Sequence, residues 1–568
     1  MLTREQMAIV NSTGNIKINA VAGSGKTTTL LEYARARPGM KILYLAFNRA
    51  VKLEAERKFG EKGVSNVRIE TAHSLAFSRV VKGSDHTIKG EGYKTPEVVE
   101  ILGLNNFDGK HTAYILATHI NAFVAYFCNN DKAKVQELDY EAVISDPAAR
   151  QFAINFKAEI SHQTRLFLDK MNKGEIPIIH DFYLKKFQLS KPALSFDTIL
   201  FDEGQDASAA MLDIFLSQKA TRVIVGDSHQ QIYGWRYAVN SLEKVDYPSF
   251  DLSASFRFDQ DIAQLARNTI SWKRHLKIPS AINITGAGKP GRVKTRAVIA
   301  RTNTGLLVKA IELLIEKKEI GSVYFEGRIE NYTYANEGAS IYDVLNLYNG
   351  EKERVRDKMI ASMNDMGELD EYIENTGDAQ LRMLVEVVKE YGKKIPGYIK
   401  KLKESHLDHD QKDKADMIFS TVHRCKGMEY DEVTLADDFI TEAKVLDQVA
   451  AEEGAGTSRL YEEINLLYVA ITRAKSVLYI PENIFPEVEK SARTVKLIRT
   501  VKAAEKKYNL KAAKEERKSG YAPWTKDDDK MLMEMVQDGK TMKQLAKMFD
   551  RTTGAVVARV RKLGLYID

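Results

Sequence analysis

The sequence contains only two cysteines, Cys128 and Cys425, among its 568 residues. Two thiols exclude a disulfide-stabilised scaffold and any multi-cysteine zinc module. No run of about 18 uncharged apolar residues occurs, which excludes a membrane-spanning helix. Residues 1–6 lack the apolar segment of a secretory signal. We therefore expect a soluble protein of a reducing compartment, located in the cytoplasm and without a membrane partner.

The composition departs little from ordinary globular usage, with 44% apolar and 29% charged residues. This balance excludes collagen-like, coiled-coil and wholly disordered chains. The sequence also has no repeat at a fixed period and no low-complexity tract. At roughly 150 residues per domain, its length predicts three or four domains.

The net charge of +6 is unevenly distributed. Residues 489–520 hold eleven Lys and Arg against four Glu, and residues 521–568 hold nine basic against seven acidic side chains. The preceding part of the chain is therefore slightly negative. A basic tail favours a polyanionic partner, although a solvated charged helix explains the charge equally well.

Apolar runs and glycine-rich turns predict an α/β fold. Residues 16–21 and 41–47 are predicted strands that flank a helix over residues 26–36, and such a strand–helix–strand unit indicates a parallel sheet. Further strands of this sheet are predicted at residues 198–201 and 222–225. A second set of strands is predicted at residues 298–300, 417–419, 433–435 and 477–480. Each set is interrupted by a long segment that is predicted to be mostly helical.

These patterns divide the chain into two sheet domains, two insertions, a basic linker and a small all-α C-terminal module. The predicted boundaries are residues 1–80 and 186–250 for the first sheet domain, 81–185 for its insertion, 251–304 and 415–488 for the second sheet domain, 305–414 for its insertion, 489–520 for the linker and 521–568 for the module.

A glycine-rich turn at residues 20–27, Ala-Val-Ala-Gly-Ser-Gly-Lys-Thr, lies between a predicted strand and a predicted helix. Gly23 and Gly25 allow the backbone to wrap around a phosphate, and the helix N-terminus adds partial positive charge. In such a P-loop, Lys26 reaches the β- and γ-phosphates and the Thr27 hydroxyl binds Mg²⁺. The alternative is a glycine-rich turn with an unrelated lysine.

Two adjacent carboxylates, Asp202 and Glu203, follow the apolar run that ends at Phe201. A carboxylate at the end of a core strand is where a P-loop protein holds its Mg²⁺, which predicts Asp202 as a metal ligand. Glu203 is then positioned to orient or deprotonate the attacking water. As an alternative, acidic pairs at strand ends commonly form turns.

Several further segments, taken together in chain order, resemble the motifs of superfamily 1 DNA helicases of the UvrD, Rep and PcrA type, with some resemblance to F-box DNA helicases. The resemblance covers nearly all of residues 1–480 and implies two RecA-like P-loop domains. The matching segments are residues 2–6 (Q motif), 45–50 (motif Ia), 71–74 (Ib), 202–206 (II), 226–236 (III), 255–257 (IV), 301–303, 421–429 (V) and 462–474 (VI).

The resemblance implies ATP and Mg²⁺ as cofactors, bound between the two sheet domains. Gln6 would recognise adenine, Phe256 would stack on it and Glu429 would hold the ribose. Gln230 would sense the γ-phosphate, and Arg257 and Arg473 would act as arginine fingers. The implied catalytic residues are Lys26, Asp202, Glu203, Gln230, Arg257 and Arg473; the remaining ATP-binding positions are Gln6, Ala22, Gly23, Ser24, Gly25, Thr27, Thr28, Phe256 and Glu429.

Motif III also provides aromatic and guanidinium groups for single-stranded DNA. Tyr233, Trp235 and Arg236 present faces on which bases can stack without sequence preference. The resemblance adds four residues to this groove: Phe47, Asn48, His73 and His423. Taken alone, Phe47 would more often be a core residue, and the two histidines would more often be hydrogen-bonded structural residues.

The sequence departs from the family pattern at several positions. Thr28 replaces an arginine that often follows Gly-Lys-Thr, so that adenine contact is absent. Ile464 and Asn465 replace a pair of arginines, which puts a second basic contact of motif VI in doubt. Arg424 and Cys425 replace small residues of motif V, and Cys425 is expected to be a packed side chain rather than a reactive thiol.

The C-terminal segment has the pattern of three short helices. Residues 524–529 indicate a helix start, with a threonine cap and acidic residues in the first turn. A basic third helix, with Arg559, Arg561 and Lys562 facing outward, resembles a Myb-like or helix-turn-helix module for duplex DNA. A small helical bundle for protein contacts is the alternative.

The resemblance implies an ATP-dependent DNA helicase that moves 3′→5′ on single-stranded DNA and unwinds duplexes in replication, repair or recombination. Its expected partners are single-stranded DNA and duplex junctions, and the expected assembly is a monomer or weak oligomer. One alternative is a translocase that displaces proteins or drives recombination without productive unwinding. Another is a DNA-binding regulator with a vestigial motor core. The compact size suggests a bacterial or phage source.

Overall fold

A computed structural model describes residues 2–107, 111–278, 280–334, 338–451, 457–486 and 492–498. In the C-terminal segment it describes residues 526–537, 540, 544–545, 548–549, 556, 559–560 and 563. The chain divides into two units, Met1–Ile498 and Arg499–Asp568. In the described part of the chain, no helix is both long enough and apolar enough to cross a membrane.

The first sheet has six parallel strands in the order β3-β2-β4-β5-β1-β6. The strands are β1 Ile16–Ala20, β2 Ile42–Ala46, β3 Val67–Thr71, β4 Thr198–Phe201, β5 Thr221–Gly226 and β6 Ser249–Leu252. Strands β2 and β4 are buried along their whole length. Their unbroken apolar sequences follow from this position, because both faces of an inner parallel strand are covered.

Helices pack against the first sheet and form its insertion. They are α1 Arg4–Val10, α2 Lys26–Arg35, α3 Arg49–Glu61, α4 Ala72–Ala76, α5 Thr95–Leu102, α6 Thr112–Asn129, α7 Pro147–Asn155, α8 Lys157–Lys173, α9 His180–Leu189, α10 Ala209–Leu216 and α11 Ser241–Lys244. Side chains of β2 alternate between two cores. Ile42 and Tyr44 pack with α2, whereas Leu43 and Leu45 belong to the core that contains α6.

A short pair of strands, β7 Ala254–Ser255 and β8 Thr285–Gly286, precedes the second sheet. The second sheet also has six parallel strands, in the order β10-β11-β9-β12-β13-β14. They are β9 Arg296–Ala300, β10 Val323–Phe325, β11 Met417–Thr421, β12 Tyr430–Leu435, β13 Ala474–Pro481 and β14 Val495–Ile498. The expected α/β class with two parallel-sheet domains is thus confirmed.

The second sheet domain carries the remaining helices of the first unit. They are α12 Gln260–Ser271, α13 Asn303–Ile311, α14 Ile341–Tyr348, α15 Lys358–Ala361, α16 Met366–Thr376, α17 Ala379–Tyr391, α18 Ile395–Glu404, α19 Val422–Cys425, α20 Glu442–Ala451 and α21 Thr457–Ile471. Helices α14–α18 share a core with β10 and with Ile115 of α6, so the two insertions pack together.

Two strands lie outside the ranges predicted for the sheet domains, and a third crosses a predicted boundary. Strand β6 continues to Leu252, β10 comes from the predicted insertion 305–414, and β14 comes from the predicted linker 489–520. Strand β10 has only three residues, and β14 is an edge strand with partly exposed side chains. Such short runs give little periodic signal, and their strand conformation depends on pairing with distant neighbours.

The C-terminal unit contains helix α22, Lys526–Gln537. A small apolar cluster joins Leu532 of this helix to Leu545, Val556 and Val560. Arg559 forms a two-fold ion pair with Asp529, with both N–O distances at 2.6 Å. Its guanidinium is therefore engaged within the unit. Arg561, Lys562 and the predicted helix start at residues 524–525 lie outside the described residues.

Candidate active site

The turn between β1 and α2 has the backbone of a phosphate-binding loop. Gly23 and Gly25 have φ angles of 75° and 80°, which favour glycine. A Cβ atom on Gly23 would come within 2.6 Å of the Arg257 Cβ atom. The Gly23 carbonyl accepts a hydrogen bond of 2.9 Å from the Phe256 amide. The loop is therefore packed directly against the start of the second sheet domain.

Lys26 opens helix α2 and faces the end of β4. Its Nζ atom lies 2.6 Å from the Glu203 Oε1 atom. Burial opposes the charged ammonium, but the carboxylates of Glu203 and Asp202 raise the pKa of Lys26 above its ordinary value. The side chain is thus a fixed cation within the site.

The Asp202 carboxylate is held by two donors. Tyr44 Oη donates to Oδ2, and the Glu203 amide donates to Oδ1 at 2.9 Å. Burial and the neighbouring Glu203 raise the pKa of Asp202 to about 6. Tyr44 was not predicted as a site residue, because its hydroxyl is the single polar side-chain group of an otherwise apolar strand. Its pairing with Asp202 depends on the register of β2 beside β4.

Glu203 sits in the left-handed region, with φ at 54°. A non-glycine residue is uncommon there, and its strain persists because surrounding contacts hold the backbone in place. Burial raises the pKa of Glu203, but Lys26 and Lys426 outweigh it and lower the pKa to about 2. Glu203 is therefore held as an anion more firmly than its neighbour Asp202.

A chain of hydrogen bonds links Glu203 to motif III. Gln205 Nε2 donates to Glu203 Oε2 at 2.5 Å, and Gln205 Oε1 accepts from the Asp227 amide at 3.1 Å. Gln230 Nε2 donates to Asp227 Oδ2 at 2.8 Å, and Tyr468 Oη donates to the same oxygen at 3.0 Å. Because Tyr468 lies on α21, the chain crosses to the second sheet domain.

Two arginines of the second sheet domain lie opposite the loop. Arg257 Nε is 2.8 Å from Glu429 Oε2, and Arg257 Nη1 donates to the Thr472 carbonyl at 2.9 Å. Arg473 is buried, and its guanidinium donates to the Val469 and Met428 carbonyls and to the Thr472 hydroxyl. Burial and the nearby Arg257 lower the pKa of Arg473 to about 10.

A cavity of about 440 Å³ opens between the loop and the second sheet domain. It is lined by Gly23, Phe256, Arg257, Lys289, Gly291, Glu429, Asp431, Lys475 and Ser476. The Phe256 ring is 51% exposed. The sequence did not indicate Lys289, Asp431, Lys475 or Ser476, because they lie outside the recognised motifs or at their edges.

The other predicted ATP-binding residues lie in the loop, at the start of α2 or beside them. Gln6 is buried, and its Oε1 accepts from the Thr3 amide at 2.9 Å while its Nε2 faces Gly25. Ala22 is buried, Thr27 is half-buried and Thr28 is exposed. Ser24 is buried, and its hydroxyl has no hydrogen-bond partner in the described part of the chain.

Aromatic rings from both sheet domains form an array beside motif III. Phe47 stacks on Tyr233 with ring centroids 5.7 Å apart, and His423 lies 5.9 Å from Tyr233 and 6.3 Å from Trp235. The Trp235 ring is 60% exposed, and the Arg236 guanidinium carbon lies 5.5 Å from its centroid. Tyr233 Oη donates to the His423 carbonyl at 3.1 Å, which ties the domains together.

Two predicted DNA-binding residues have other contacts. The exposed Asn48 caps helix α3 by accepting a hydrogen bond of 2.9 Å from the Val51 amide. His73 lies 3.4 Å from Asp181 and packs edge-on against Tyr183, both in the first insertion. The structure thus places His73 against the insertion and outside the ring contacts of the array.

Lys426 is a further functional candidate that the sequence did not single out. It pairs with Asp206, donates to the Gln230 carbonyl at 2.5 Å and lies 5.0 Å from the Tyr233 ring centroid. This single ammonium therefore contacts both motif II and motif III from motif V. The sequence signal that could have identified Lys426 was its position within the motif V segment.

The departures from the family pattern are accommodated by packing. Asn465 Nδ2 donates to the Gln231 carbonyl at 2.8 Å, and Ile464 is buried in the core. Cys425 is also buried, and burial raises the pKa of its thiol to about 12. It is a packed side chain, as expected. Arg424 lies over the Tyr332 ring at 5.1 Å.

Comparison with known proteins shows several relatives. F-box DNA helicase 1 of Gallus gallus is 29% identical over 517 residues, which cover 85% of this chain and 49% of the relative. F-box DNA helicase protein 1 of Schizosaccharomyces pombe is 29% identical over 528 residues, covering 85% and 58%. The chain spans about half the length of these curated relatives. ATP-dependent DNA helicase PcrA of Bacillus subtilis is 27% identical over 303 residues, covering 47% and 39%.

These relatives include eukaryotic proteins, so they do not support the bacterial or phage source suggested by the compact size. A family profile described as UvrD-like helicase C-terminal domain matches residues 115–483, more than half of the chain. The matched range includes motifs II to VI, whose side chains form most of the site described above. The chain therefore belongs to the UvrD-like helicase family.

Proposed function

We propose that this chain is an ATP-dependent DNA helicase that translocates 3′→5′ on single-stranded DNA. The observation that carries the proposal is the placement of charged side chains from both sheet domains around the glycine-rich loop. Lys26 and Glu203 of the first sheet domain are in contact, and Arg257 of the second packs against Gly23, with Arg473 nearby. An aromatic array lies on the same motif III that bears Gln230. These features support a nucleotide site and a strand-binding track joined by one turn.

The loop fits a nucleoside triphosphate. Its two left-handed glycines leave a cradle without side chains, and the buried Ser24 hydroxyl has no partner among the described residues. We propose that Lys26 and the loop amides hold the phosphates, with Arg257 and Arg473 neutralising the charge that develops in phosphoryl transfer. Phe256 would stack on adenine beside Gln6, and Glu429 would hold the ribose.

When bound, Mg²⁺ would neutralise part of the negative charge of the phosphates. We propose that the Thr27 hydroxyl and the Asp202 carboxylate hold it. Two protein ligands fit this ion, which keeps several waters and binds through one or two carboxylates and substrate phosphates. Glu203, as an anion, would orient and deprotonate the attacking water.

We propose that the array of Phe47, Tyr233, Trp235 and His423 binds single-stranded DNA, with Arg236 at its edge. Burial lowers the pKa of His423 to about 4, with Arg301 contributing, so its ring is neutral and acts through stacking. Asn48 and His73 would lie beside this track. Replacing Trp235 by Ala is expected to weaken binding of a short single strand by about 1–3 kcal/mol, because one stacking face is lost.

Fluorescence anisotropy with a labelled oligonucleotide would measure this change. Tyr348→Ala serves as a control, because Tyr348 is also a large exposed aromatic residue but lies on α14, outside the array. The control should bind with the affinity of the unaltered chain. Equal affinities for Trp235→Ala and the control would remove Trp235 from the proposed track.

Unwinding of duplexes with a single 3′ or 5′ tail tests the activity and its direction. We expect ATP-dependent strand separation only with the 3′ tail. Separation of the 5′-tailed duplex alone would reverse the proposed polarity. ATP-dependent displacement of streptavidin from biotinylated DNA, without strand separation, would instead establish the translocase alternative. DNA binding without ATP turnover would establish the vestigial regulator.

We further propose that the C-terminal unit binds duplex DNA. One support is the excess of Lys and Arg over Glu in residues 489–520. The other is the small apolar cluster around Leu532. Arg561 and Lys562 would contact phosphates, and Arg559 would do so only by exchanging its contact with Asp529. A protein-binding bundle remains the second candidate for this unit.

A further inference from the structure

Lys273 is a buried lysine that has no role in the proposed chemistry. It lies just after helix α12 and has 0% of its surface exposed. Its Nζ atom is 2.9 Å from the His229 Nδ1 atom and 3.7 Å from the centroid of the Tyr461 ring. In the described part of the chain, no carboxylate lies within ion-pair distance of this ammonium. Asp227 and Glu243 are the acidic groups that face it from further away.

Placing an ammonium group there is energetically costly. A buried charge is disfavoured unless it is paired and fully hydrogen-bonded. Burial lowers the pKa of Lys273 to about 7, and Asp227 and Glu243 only partly oppose this effect. The cation–π contact with Tyr461 compensates for part of the cost. An apolar residue would stabilise this position more, which points to a functional reason for the lysine.

The partner of Lys273 is the turn at residues 228–231, which joins the nucleotide site to the aromatic array. Gln230 of this turn bonds Asp227, and Tyr233 and Trp235 of the array follow directly. Four side chains of the second sheet domain hold the turn, and one of them is Lys426, which donates to the Gln230 carbonyl at 2.5 Å. Tyr461 Oη donates to the Ser228 carbonyl at 3.2 Å, Asn465 Nδ2 donates to the Gln231 carbonyl at 2.8 Å, and Lys273 contacts His229.

We propose that Lys273 is a positioning residue that fastens the motif III turn to the second sheet domain and thereby couples DNA binding to ATP turnover. When the sheet domains move relative to each other, a turn held at His229 must follow the second domain. Gln230 and the array would then shift together. This inference rests on the proposed helicase function, and it assigns to Lys273 no contact with nucleotide or DNA.

Replacing Lys273 by Met tests the inference, because Met is unbranched and of similar length but uncharged. We expect the stimulation of ATP turnover by single-stranded DNA to fall about tenfold. Turnover without DNA, the KM for ATP and the affinity for a single strand should stay within about twofold. The melting temperature should equal or exceed that of the unaltered chain, since a buried unpaired charge has been removed. Lys173→Met, at an exposed lysine of α8, is the control.

A second variant separates coupling from simple packing. If Lys273→Met lowers the melting temperature, His229→Phe removes the same contact from the other side and should reproduce the uncoupling.

The results that would overturn the inference differ from the result that would overturn the proposed function. Full DNA stimulation in Lys273→Met, or in His229→Phe where that variant is used, overturns the inference. So does an equal loss of turnover with and without DNA. If the unaltered chain itself shows no DNA-stimulated turnover, the proposed function fails first.

Discussion

Glu203→Gln is expected to lower DNA-stimulated ATP turnover by about a hundredfold to ten-thousandfold while ATP binding is retained. The physical reason is the loss of the carboxylate that would accept a proton from water. Lys26 and Lys426 lower the pKa of Glu203 to about 2 against the effect of burial, so the group is an anion throughout the neutral range. Glutamine has nearly the same shape and can still accept the hydrogen bond from Gln205.

Lys26→Ala should also abolish turnover, but by a different route. It removes the ammonium proposed to hold the phosphates, so ATP binding is expected to be lost together with turnover. It also leaves Glu203 without the cation that now lies 2.6 Å away. Equilibrium binding of a fluorescent ATP analogue, measured beside steady-state turnover, distinguishes the two variants.

Glu61→Gln is the matched control for Glu203→Gln. Glu61 is an exposed carboxylate on α3 that pairs with Arg57 across one helical turn at 2.6 Å. Exposed pairs of this kind contribute little, so turnover should be unchanged. Turnover of Glu203→Gln within a factor of ten of the control would show that another group activates water, and the assignment of Glu203 would be wrong.

Arg473→Ala is expected to reduce the maximal turnover by about a thousandfold or more. The Arg473 guanidinium is buried and bonds only carbonyl and hydroxyl oxygens within the described residues, so no carboxylate neutralises it directly. Arg257 lies close enough to help lower the pKa of Arg473 to about 10. Two neighbouring cations would be stabilised by an anion between the sheets, and that gain is largest when charge builds up on the transferred phosphate.

Rapid-quench measurement of a single turnover separates this effect from nucleotide binding. Arg473→Lys should remain strongly impaired, because an ammonium cannot reproduce the planar set of donors that a guanidinium offers. Arg257→Ala should lower turnover comparably. Arg274→Ala, at an exposed arginine that pairs with Glu442, is the control. An unchanged single-turnover rate in Arg473→Ala, with the melting temperature preserved, would exclude Arg473 as an arginine finger.

Much of the candidate site could be predicted from the sequence because its signals are local. The glycine pair before Lys26 requires a left-handed backbone at those positions, and the structure shows it. The acidic pair after an unbroken apolar strand marks the end of β4. Apolar runs likewise predicted the inner strands of both sheets, since a strand covered on both faces has few polar residues.

Contacts between distant segments were decided only by the tertiary structure. Strands β10 and β14 are short, and they exist because β11 and β13 offer partners for their backbone hydrogen bonds. Tyr44 meets Asp202 across 158 residues, and Lys426 meets Asp206 across 220. Lys273, which lies outside the recognised motifs, meets His229 across 44 residues. No local pattern encodes such pairs, because the spacing along the chain is unrelated to the distance in the fold.

The sequence by itself therefore determined which chemical groups are available and the local backbone that presents them. The tertiary structure decided which groups meet, which acids and bases share a buried space, and hence how strongly each carboxylate is held as an anion. Asp202 and Glu203 illustrate the division, since the two neighbours have pKa values of about 6 and about 2. The sequence determines that the two carboxylates are adjacent along the chain. The difference between them arises from burial and from the lysines that the fold brings to Glu203.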